Sequence, residues 1–409
     1  MGKGVAITGM GIISAIGNNV AENYQSLSTN KIGIDRITQI STIHENEIMV
    51  GEISGTNTDL ENQLKIEADQ WSRTVLIGAI AAREALDNAG ITDVNEIKTG
   101  LISGTTVGGM DKSEQYFYDY TDNPKVRQHI TGLHAGDSTN KIAKHLGLEK
   151  SFVTTISTAC SSAANAIMLG ARMIKSGQLD RVVVGGTDSL SKFTINGFKT
   201  LMILSDTFST PFDDDRKGLN LGEAAAYLVL ESDELVAKKN KKPLAFVKGY
   251  GNANDAFHQT ASSENGDGAV LAMQKALEVA DLKPEEIDYV NAHGTATPNN
   301  DLSEGRALIR IFGENVPEFS STKSFTGHTL AAAGGVEAVY SVLALQHNVI
   351  FPNLNFKTPM KEFDLTPVTE KKEKSLHTVL SNSFGFGGNC STLIFSKNHR
   401  VDQTLIHNE

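Results

Sequence analysis

Cysteine, tryptophan and basic charge are all scarce in this sequence, and the first and last scarcity each exclude a class of protein. Two cysteines in 409 residues, Cys160 and Cys390, cannot build a disulfide framework, so a reducing compartment is the expectation. No CxxC or HExxH pattern occurs, and no metal site is predicted. Lysine and arginine number 37 against 48 acidic residues, a net charge of −11. A general nucleic-acid-binding surface is therefore not expected. No apolar run approaches the ~20 residues that span a bilayer. The N-terminal MGKGVAITGMGIISAIG is broken by glycine and lacks a cleavage-site pattern, so it reads as strand and loop rather than signal peptide. The expected location is the cytoplasm. What is present is 40% hydrophobic and 21% charged residues, the composition of a soluble globular protein. The length suits two domains or one large duplicated one.

An internal repeat favours duplication. The helix at 74–89 is followed by a short acidic loop, Glu96-Ile97, a strand at 100–103 and the loop Gly104-Thr105. The helix at 270–280 is followed by the same series: Glu286-Ile287, a strand from Tyr289, and Gly294-Thr295, with both dipeptides 190 residues on (286 − 96, 294 − 104). The stretches 153–177 and 318–348 also resemble each other as strand, turn and helix. Two copies of one α/β unit are predicted, packed face to face, with halves 1–242 and 243–409 meeting at the charged turn KKNKKP. The expected strands include 4–8, 181–185, 224–231, 244–248, 378–380 and 391–395. Residues 9–17 and 381–389 read as glycine-rich loops, and the tail after Lys397 as frayed.

Three residues stand out chemically. Cys160 lies in VTTISTACSSAANAIMLGARMIKSG, where a β-branched strand, 153–156, turns into an amphipathic helix. Ser157 and Thr158 suit a helix cap. A thiol in the first helical turn meets unpaired N–H groups and a dipole that favour its thiolate. A buried structural cysteine is the alternative on this stretch alone. His293 ends a strand in HGTATPNNDLSE, and His328 opens a small-residue helix in TKSFTGHTLAAAGG. If the halves are duplicates, equivalent element ends meet near one axis, and these three side chains can share a site.

The stretches VAITGMGIISAIGN, STACSSAANAI, VVVGGTDS, FDDDRKGLNLGEAAAYLVLE, NAHGTATPNND, STKSFTGH and NSFGFGG resemble the elongating β-ketoacyl-acyl carrier protein (ACP) synthases from residue 5 to about 395. The resemblance implies a thiolase-like fold, α/β and duplicated in α-β-α-β-α layers, that works as a homodimer without a cofactor. It implies a decarboxylative Claisen condensation in fatty-acid or polyketide elongation. Cys160 would carry the acyl group from acyl-ACP. His293 and His328 would hold the thioester oxygen of malonyl-ACP as carbon dioxide leaves. Lys323 and Glu304 would support the site. Phe384 would gate the cysteine, its N–H joining that of Cys160 on the oxyanion. Carrier docking falls on Lys125 and Arg127, with Arg73 and Lys65 as a second part. The segment 129–137 and residues 193–198 are expected to wall the acyl pocket.

Several positions depart from the family pattern. The histidine motif reads GHTLAAAGG, with Ala331 in place of a glycine. The last loop reads GFGGNC, with Asn389 and Cys390 where threonine and asparagine are common. FSTPF lacks a nearby arginine, and Pro298-Asn299-Asn300-Asp301 replaces a glycine-containing turn. These departures suggest a specialised branch, such as synthesis of aryl-polyene pigment chains, with a heterodimer beside an inactive chain-length-factor relative as an open arrangement. Cys160 argues against the chain being that inactive partner, and the two histidines argue against a degradative thiolase. The duplication argues against a Cys–His protease.

Overall fold

The computed structural model describes residues 4–148 and 151–398; the polar tail expected to fray lies outside the described residues beyond 398. The central sheet contains β1 (Val5–Ser14), β2 (Thr99–Gly104), β3 (Phe152–Ile156), β4 (Arg181–Asp188), β5 (Ala224–Ser232), β6 (Ala245–Asn254), β7 (Tyr289–Asn291), β8 (Glu318–Ser320), β9 (Thr378–Gly385) and β10 (Asn389–Ser396). Six helices position the site: α1 (Arg73–Asn88), α2 (Ser162–Lys175), α3 (Lys192–Thr200), α4 (Asp267–Ala280), α5 (Pro298–Phe312) and α6 (Ala333–His347).

The strand order is β8-β7-β9-β10-β6-β1-β5-β4-β2-β3. Read inward from either end, each half runs third, second, fourth, fifth, first. The outer three strands of each half are parallel, and the next two pairings are antiparallel. The two first strands meet only where Ala6 opposes Phe246 and Ile7 opposes Ala245. Helix α1 covers the outer face of β1 and β5, and α4 covers β6 and β10 in the same way. Helices α2 and α6 pack on each other between the halves. Residues Ala333 to Leu345 of α6 are all buried, as a helix enclosed on every side must be. The result is the duplicated, thiolase-like α-β-α-β-α layering.

Two segments read as loops are strands for a physical reason. The glycines after Thr8 extend β1 rather than end it. A Cβ on Gly9 would lie 2.3 Å from the Ala85 carbonyl oxygen, and one on Gly11 would lie 2.1 Å from that of Ala81. The other half repeats the device: a Cβ on Gly249 or Gly251 would lie 2.3 or 2.0 Å from the carbonyl oxygen of Ala276 or Ala272. These glycines let a helix backbone press directly on its sheet. Likewise Ser381–Gly385 continue β9, and only Phe386–Gly388 form the turn into β10. Strand β3, expected to be buried, is the sheet edge and is half-covered, with Phe152 exposed.

Arg73 is a fold residue, not a docking residue. It opens α1 at only 7% exposure. Its guanidinium donates to both Glu223 oxygens at 2.7 and 2.9 Å, to the Ile53 carbonyl at 3.0 Å and to Asn57 Oδ1 at 3.0 Å. Glu223 also accepts the Ile53 and Leu190 N–H groups. One buried pair thus joins four chain segments, and a carrier protein cannot reach it. Removing one member of a buried pair leaves an uncompensated charge. Arg73→Ala should therefore lower the urea-unfolding free energy by about 3–5 kcal/mol.

Candidate active site

Cys160, His293 and His328 line one cavity of about 280 Å³. Their backbones explain how three distant segments meet. Left-handed backbone occurs at Ala159 (φ 51°), one residue before Cys160, at Ala296 (φ 64°), three after His293, and at Leu330 (φ 54°), two after His328. Such conformations cost non-glycine residues ~1–3 kcal/mol each and persist where the surroundings fix them. Here they turn each chain sharply at the site. His328 is further held because its N–H donates to the Asn220 carbonyl at 2.7 Å and its carbonyl accepts from Gly222 at 3.0 Å.

Both imidazoles have a defined tautomer. The Lys323 ammonium donates to His293 Nδ1 at 3.2 Å and to the His293 carbonyl at 2.6 Å. The Leu330 N–H donates to His328 Nδ1 at 3.2 Å. With Nδ1 accepting in both rings, Nε2 carries the proton in the neutral forms. Burial drives both pKa values well below the ordinary range, and Lys323 pushes the same way. The rings stand edge to face with centroids 5.3 Å apart. The pair is a set of neutral N–H donors, suited to an oxygen on which negative charge develops.

Lys323 and Glu304, expected to support the site, both contact His293, but by separate routes. Lys323 pairs with Glu337, a buried carboxylate from the middle of α6. Burial pushes Glu337 up to about 7 against the pull of that ammonium. Glu304, on α5, instead accepts the backbone N–H groups of His293 and Gly294 at 2.9 and 2.8 Å. Asn382 also donates to it, at 3.1 Å. Glu304 thus grips the turn, while Lys323 sets the ring. Glu337 was missed in the sequence although it carries a signal: it is the one charge in AGGVEAVYSVLAL. Asp188 was missed as well. It is fully buried and accepts hydrogen bonds from Thr105, Thr106 and the Ala331 N–H, tying β4 to the chain just after His328.

The thiol differs from expectation too. Helix α2 begins at Ser162, and its cap, Ser161, makes no side-chain capping bond. The Ser161 and Ser162 N–H groups already donate to the Thr158 and Ala159 carbonyls, so the helix start does not present them to sulfur. Burial pushes Cys160 up to about 12, opposed by the Lys323 charge and by a hydrogen bond from the Phe386 N–H. The resting group is a thiol. The expected backbone donor was Phe384, but the donor at sulfur is Phe386. Phe384 lies within β9, buried, with its ring against His293 at 5.6 Å. Phe386 is half-buried in the turn that follows. It lines both the first cavity and a second one of about 330 Å³. The second cavity includes Phe193 and Phe198, as expected, but nothing from 129–137.

The family is settled by comparison with known proteins. The model of the β-ketoacyl synthase N-terminal domain matches residues 3–235, and that of the C-terminal domain matches 244–357. The chain belongs to the β-ketoacyl synthase family. The 3-oxoacyl-(acyl-carrier-protein) synthase 2 of Staphylococcus aureus (strain COL) is 35% identical over 411 residues, covering 97% of this chain and 98% of that protein. A chain of the ishigamide ketosynthase/chain length factor structure superposes with a TM-score of 0.91 at 30% identity, covering 97% of this synthase and 100% of that chain. A ketosynthase in complex with its chain length factor from Xenorhabdus doucetiae gives a TM-score of 0.82 at 30% identity, covering 97% and 98%.

At the mouth of the first cavity this synthase carries Lys217, exposed and without an ion pair among the described residues. Its neighbour Arg216 donates to the carbonyls of Asp213 and Pro298 at 2.8 Å each. Gly218 (φ 148°) is pressed so closely on Ile203 that a Cβ would lie 2.3 Å from that carbonyl oxygen. The backbone at Lys217 is therefore fixed on the rim. Lys217 was not among the expected docking residues; of those, Lys65 and Lys125 are exposed. Arg127 is exposed but donates to the Tyr120 and Thr121 carbonyls at 2.8 and 2.7 Å.

The histidine assignment is testable without turnover. Histidine-selective nitrogen NMR should show neutral Nε2–H rings for His293 and His328 across pH 6–8. Protonation should appear only as pH falls well below the ordinary histidine range. Lys323→Met removes a neighbouring positive charge that lowers both pKa values, so the His293 titration should move upward toward ~6.5.

Proposed function

We propose that Cys160, His293 and His328 carry out a decarboxylative Claisen condensation between an acyl-ACP and malonyl-ACP, giving a 3-oxoacyl-ACP in fatty-acid or polyketide elongation. The observation that carries this reading is one thiol and two neutral Nε2–H donors on a single cavity. In the first step Cys160 sulfur attacks the acyl thioester. The acyl–sulfur bond to the carrier breaks, and the thiol proton ends on the departing carrier thiol. The Phe386 N–H, already at the sulfur, and the Cys160 N–H would hold the tetrahedral oxyanion. Malonyl-ACP then places its thioester oxygen at His293 and His328. Loss of carbon dioxide puts negative charge on that oxygen, where the two donors stabilise the enolate. The carbanion attacks the acyl–Cys160 carbonyl. The new carbon–carbon bond forms, the carbon–sulfur bond breaks, and one proton restores the thiol.

Lys323 would act through His293 rather than on substrate. Its ammonium fixes the tautomer and keeps the ring neutral, while Glu337 offsets the buried charge. Glu304 would fix the backbone from which His293 projects. In this reading the chain works as two halves, 1–242 bringing the thiol and 243–409 the imidazoles. The half-covered edge at β3 is a place where a second chain would continue the sheet, since an open edge offers unpaired backbone groups. A second copy is the first reading. A chain-length-factor relative is the alternative, because two of the similar structures contain such a partner.

The carrier would approach at the cavity mouth. An acidic carrier and a chain of net charge −11 repel at long range, so local cations must favour docking. Lys217 is the cation fixed on the rim.

Mass-spectrometric assay of elongation with malonyl-ACP and an acyl-ACP panel tests the chemistry. Cys160→Ala should abolish condensation yet retain malonyl decarboxylation, because both histidines remain. His328→Ala should lower decarboxylation by about 10²–10³-fold, the usual loss for one oxyanion donor. Full elongation by Cys160→Ala would refute the nucleophile assignment. Docking separates by substrate. Lys217→Glu should raise KM for carrier-borne substrates about tenfold, the effect of a charge reversal at a carrier contact, and leave KM for small N-acetylcysteamine thioesters within twofold. Equal effects on both would remove Lys217 from carrier recognition.

A further inference from the structure

The second cavity has an aromatic wall that ordinary apolar packing does not require. Helix α3 supplies most of it: Phe193, Thr194, Gly197 and Phe198 fall on one helical face, with Leu201 just beyond. Gly197 sits between the two phenylalanines, and a Cβ built there would meet nothing within 4 Å. The wall therefore has open room at that point. The Phe198 ring lies almost parallel to Phe386, with centroids 5.8 Å apart and planes 21° apart. Cys160 lines this cavity as well, so a chain carried on its sulfur can extend into it.

The stacked pair sets a condition on entry. Phe386 borders both cavities and stacks on Phe198, so a chain from Cys160 that lies against the covered Phe198 face must displace that ring. Movement uncovers a face of Phe198 and gives up the stacking. A saturated chain can cover that face only with puckered methylene groups, and it loses torsional freedom on being held. A conjugated chain is flat, presents a π face at stacking distance and has its torsions already fixed. Resting on the ketosynthase reading above, we propose that Phe198 makes the second cavity a seat for planar conjugated acyl chains and selects them over saturated chains of equal length. Among the described residues, Thr106 and Thr194 alone bring hydroxyl groups to the cavity, so the discrimination rests on ring faces rather than hydrogen bonds.

The test compares octanoyl and octa-4,6-dienoyl carriers in single-turnover acylation of Cys160, read by intact-protein mass. The diene stops short of the carbonyl, so the reactivity of the thioester is matched. The wild-type protein should be acylated roughly two- to tenfold faster, as kcat/KM, by the dienoyl chain, the range expected for one aromatic stacking contact. Phe198→Leu should bring the ratio to about one, while Phe198→Tyr should keep it. If the leucine variant does not fold, Phe198→Met replaces it with the same expectation. A wild-type ratio at or below one overturns the proposal, as does a ratio that survives loss of the ring. Failure of the wild-type protein to acylate Cys160 with either chain would instead overturn the ketosynthase reading, and this inference with it.

Discussion

One buried ammonium organises the site. Lys323 lies 4% exposed between Glu337 on one side and the ring and carbonyl of His293 on the other. A lysine in that position needs a carboxylate, because an unpaired buried charge costs several kcal/mol. Glu337 supplies it from α6, which is buried from Ala333 to Leu345. Burial is what chiefly keeps both histidines neutral, and the Lys323 charge acts in the same direction on each. On Cys160 the same charge works against burial, which holds the group as a thiol. One charge, neutralised from the layer between the two halves, thus bears on all three groups.

The duplication explains how such a site can be assembled. Equivalent elements carry unequal residues: the strand–turn–helix unit of the first half holds Cys160, and its counterpart in the second half holds His328. Each half repeats the strand order and the glycine-mediated helix contact, while the chemistry is divided between them. This division was readable in the sequence because the repeat is spaced 190 residues apart (286 − 96) and the chemical residues sit at its turns. The repeat made the two α/β halves and the three residues at their turns legible, and the family resemblance supplied the layering. The misreadings share a different cause. Arg73 is a charged residue at a helix start, and sequence alone cannot show that Glu223, 150 positions away, meets it inside the protein. Lys323 and Glu304 were read as supports of the site, but the carboxylate that pairs Lys323, Glu337, went unread because it is hidden in an apolar helix. The glycines of β1 were read as loop because their cause is a helix backbone 70 residues or more away in sequence (81 − 11).

The thiol shows why local patterns mislead at a site built from two halves. A cysteine just ahead of a helix reads as an activated thiolate, and by helix-terminus physics alone it would be. In the folded chain the first N–H groups are spent on the turn that left-handed Ala159 creates. The donor that reaches sulfur comes from Phe386, more than two hundred residues later. No window of sequence around Cys160 contains that information. It also distinguishes Phe386 from Phe384, two residues apart in one motif. Strand pairing of Phe384 with Cys390 keeps it in the sheet, and release from the sheet after Gly385 frees Phe386 to border both cavities.

In the proposed reaction Phe386 would have two duties that pull in opposite directions. Its N–H would stay at the sulfur to hold an oxyanion, and its ring would leave the Phe198 face for a chain to lie there. The anchors around it reconcile the two. Before it, β9 is fixed by full pairing to β10. After it, the Gly387 N–H donates to the Gln259 carbonyl at 2.7 Å. Asn389 Oδ1 then accepts from Ser161, Asn165 and Asn252 at 2.7, 2.8 and 2.8 Å. That last cluster ties the end of the turn to the first residues of the cysteine's own helix, so thiol and turn share a frame. Gly387 and Gly388, with φ of 81° and 83°, hold conformations in which glycine carries no penalty. Motion is thereby confined to a few bonds between firm ends. A side-chain rotation at Phe386 can open the second cavity while its backbone N–H keeps its place, which a long mobile loop could not guarantee.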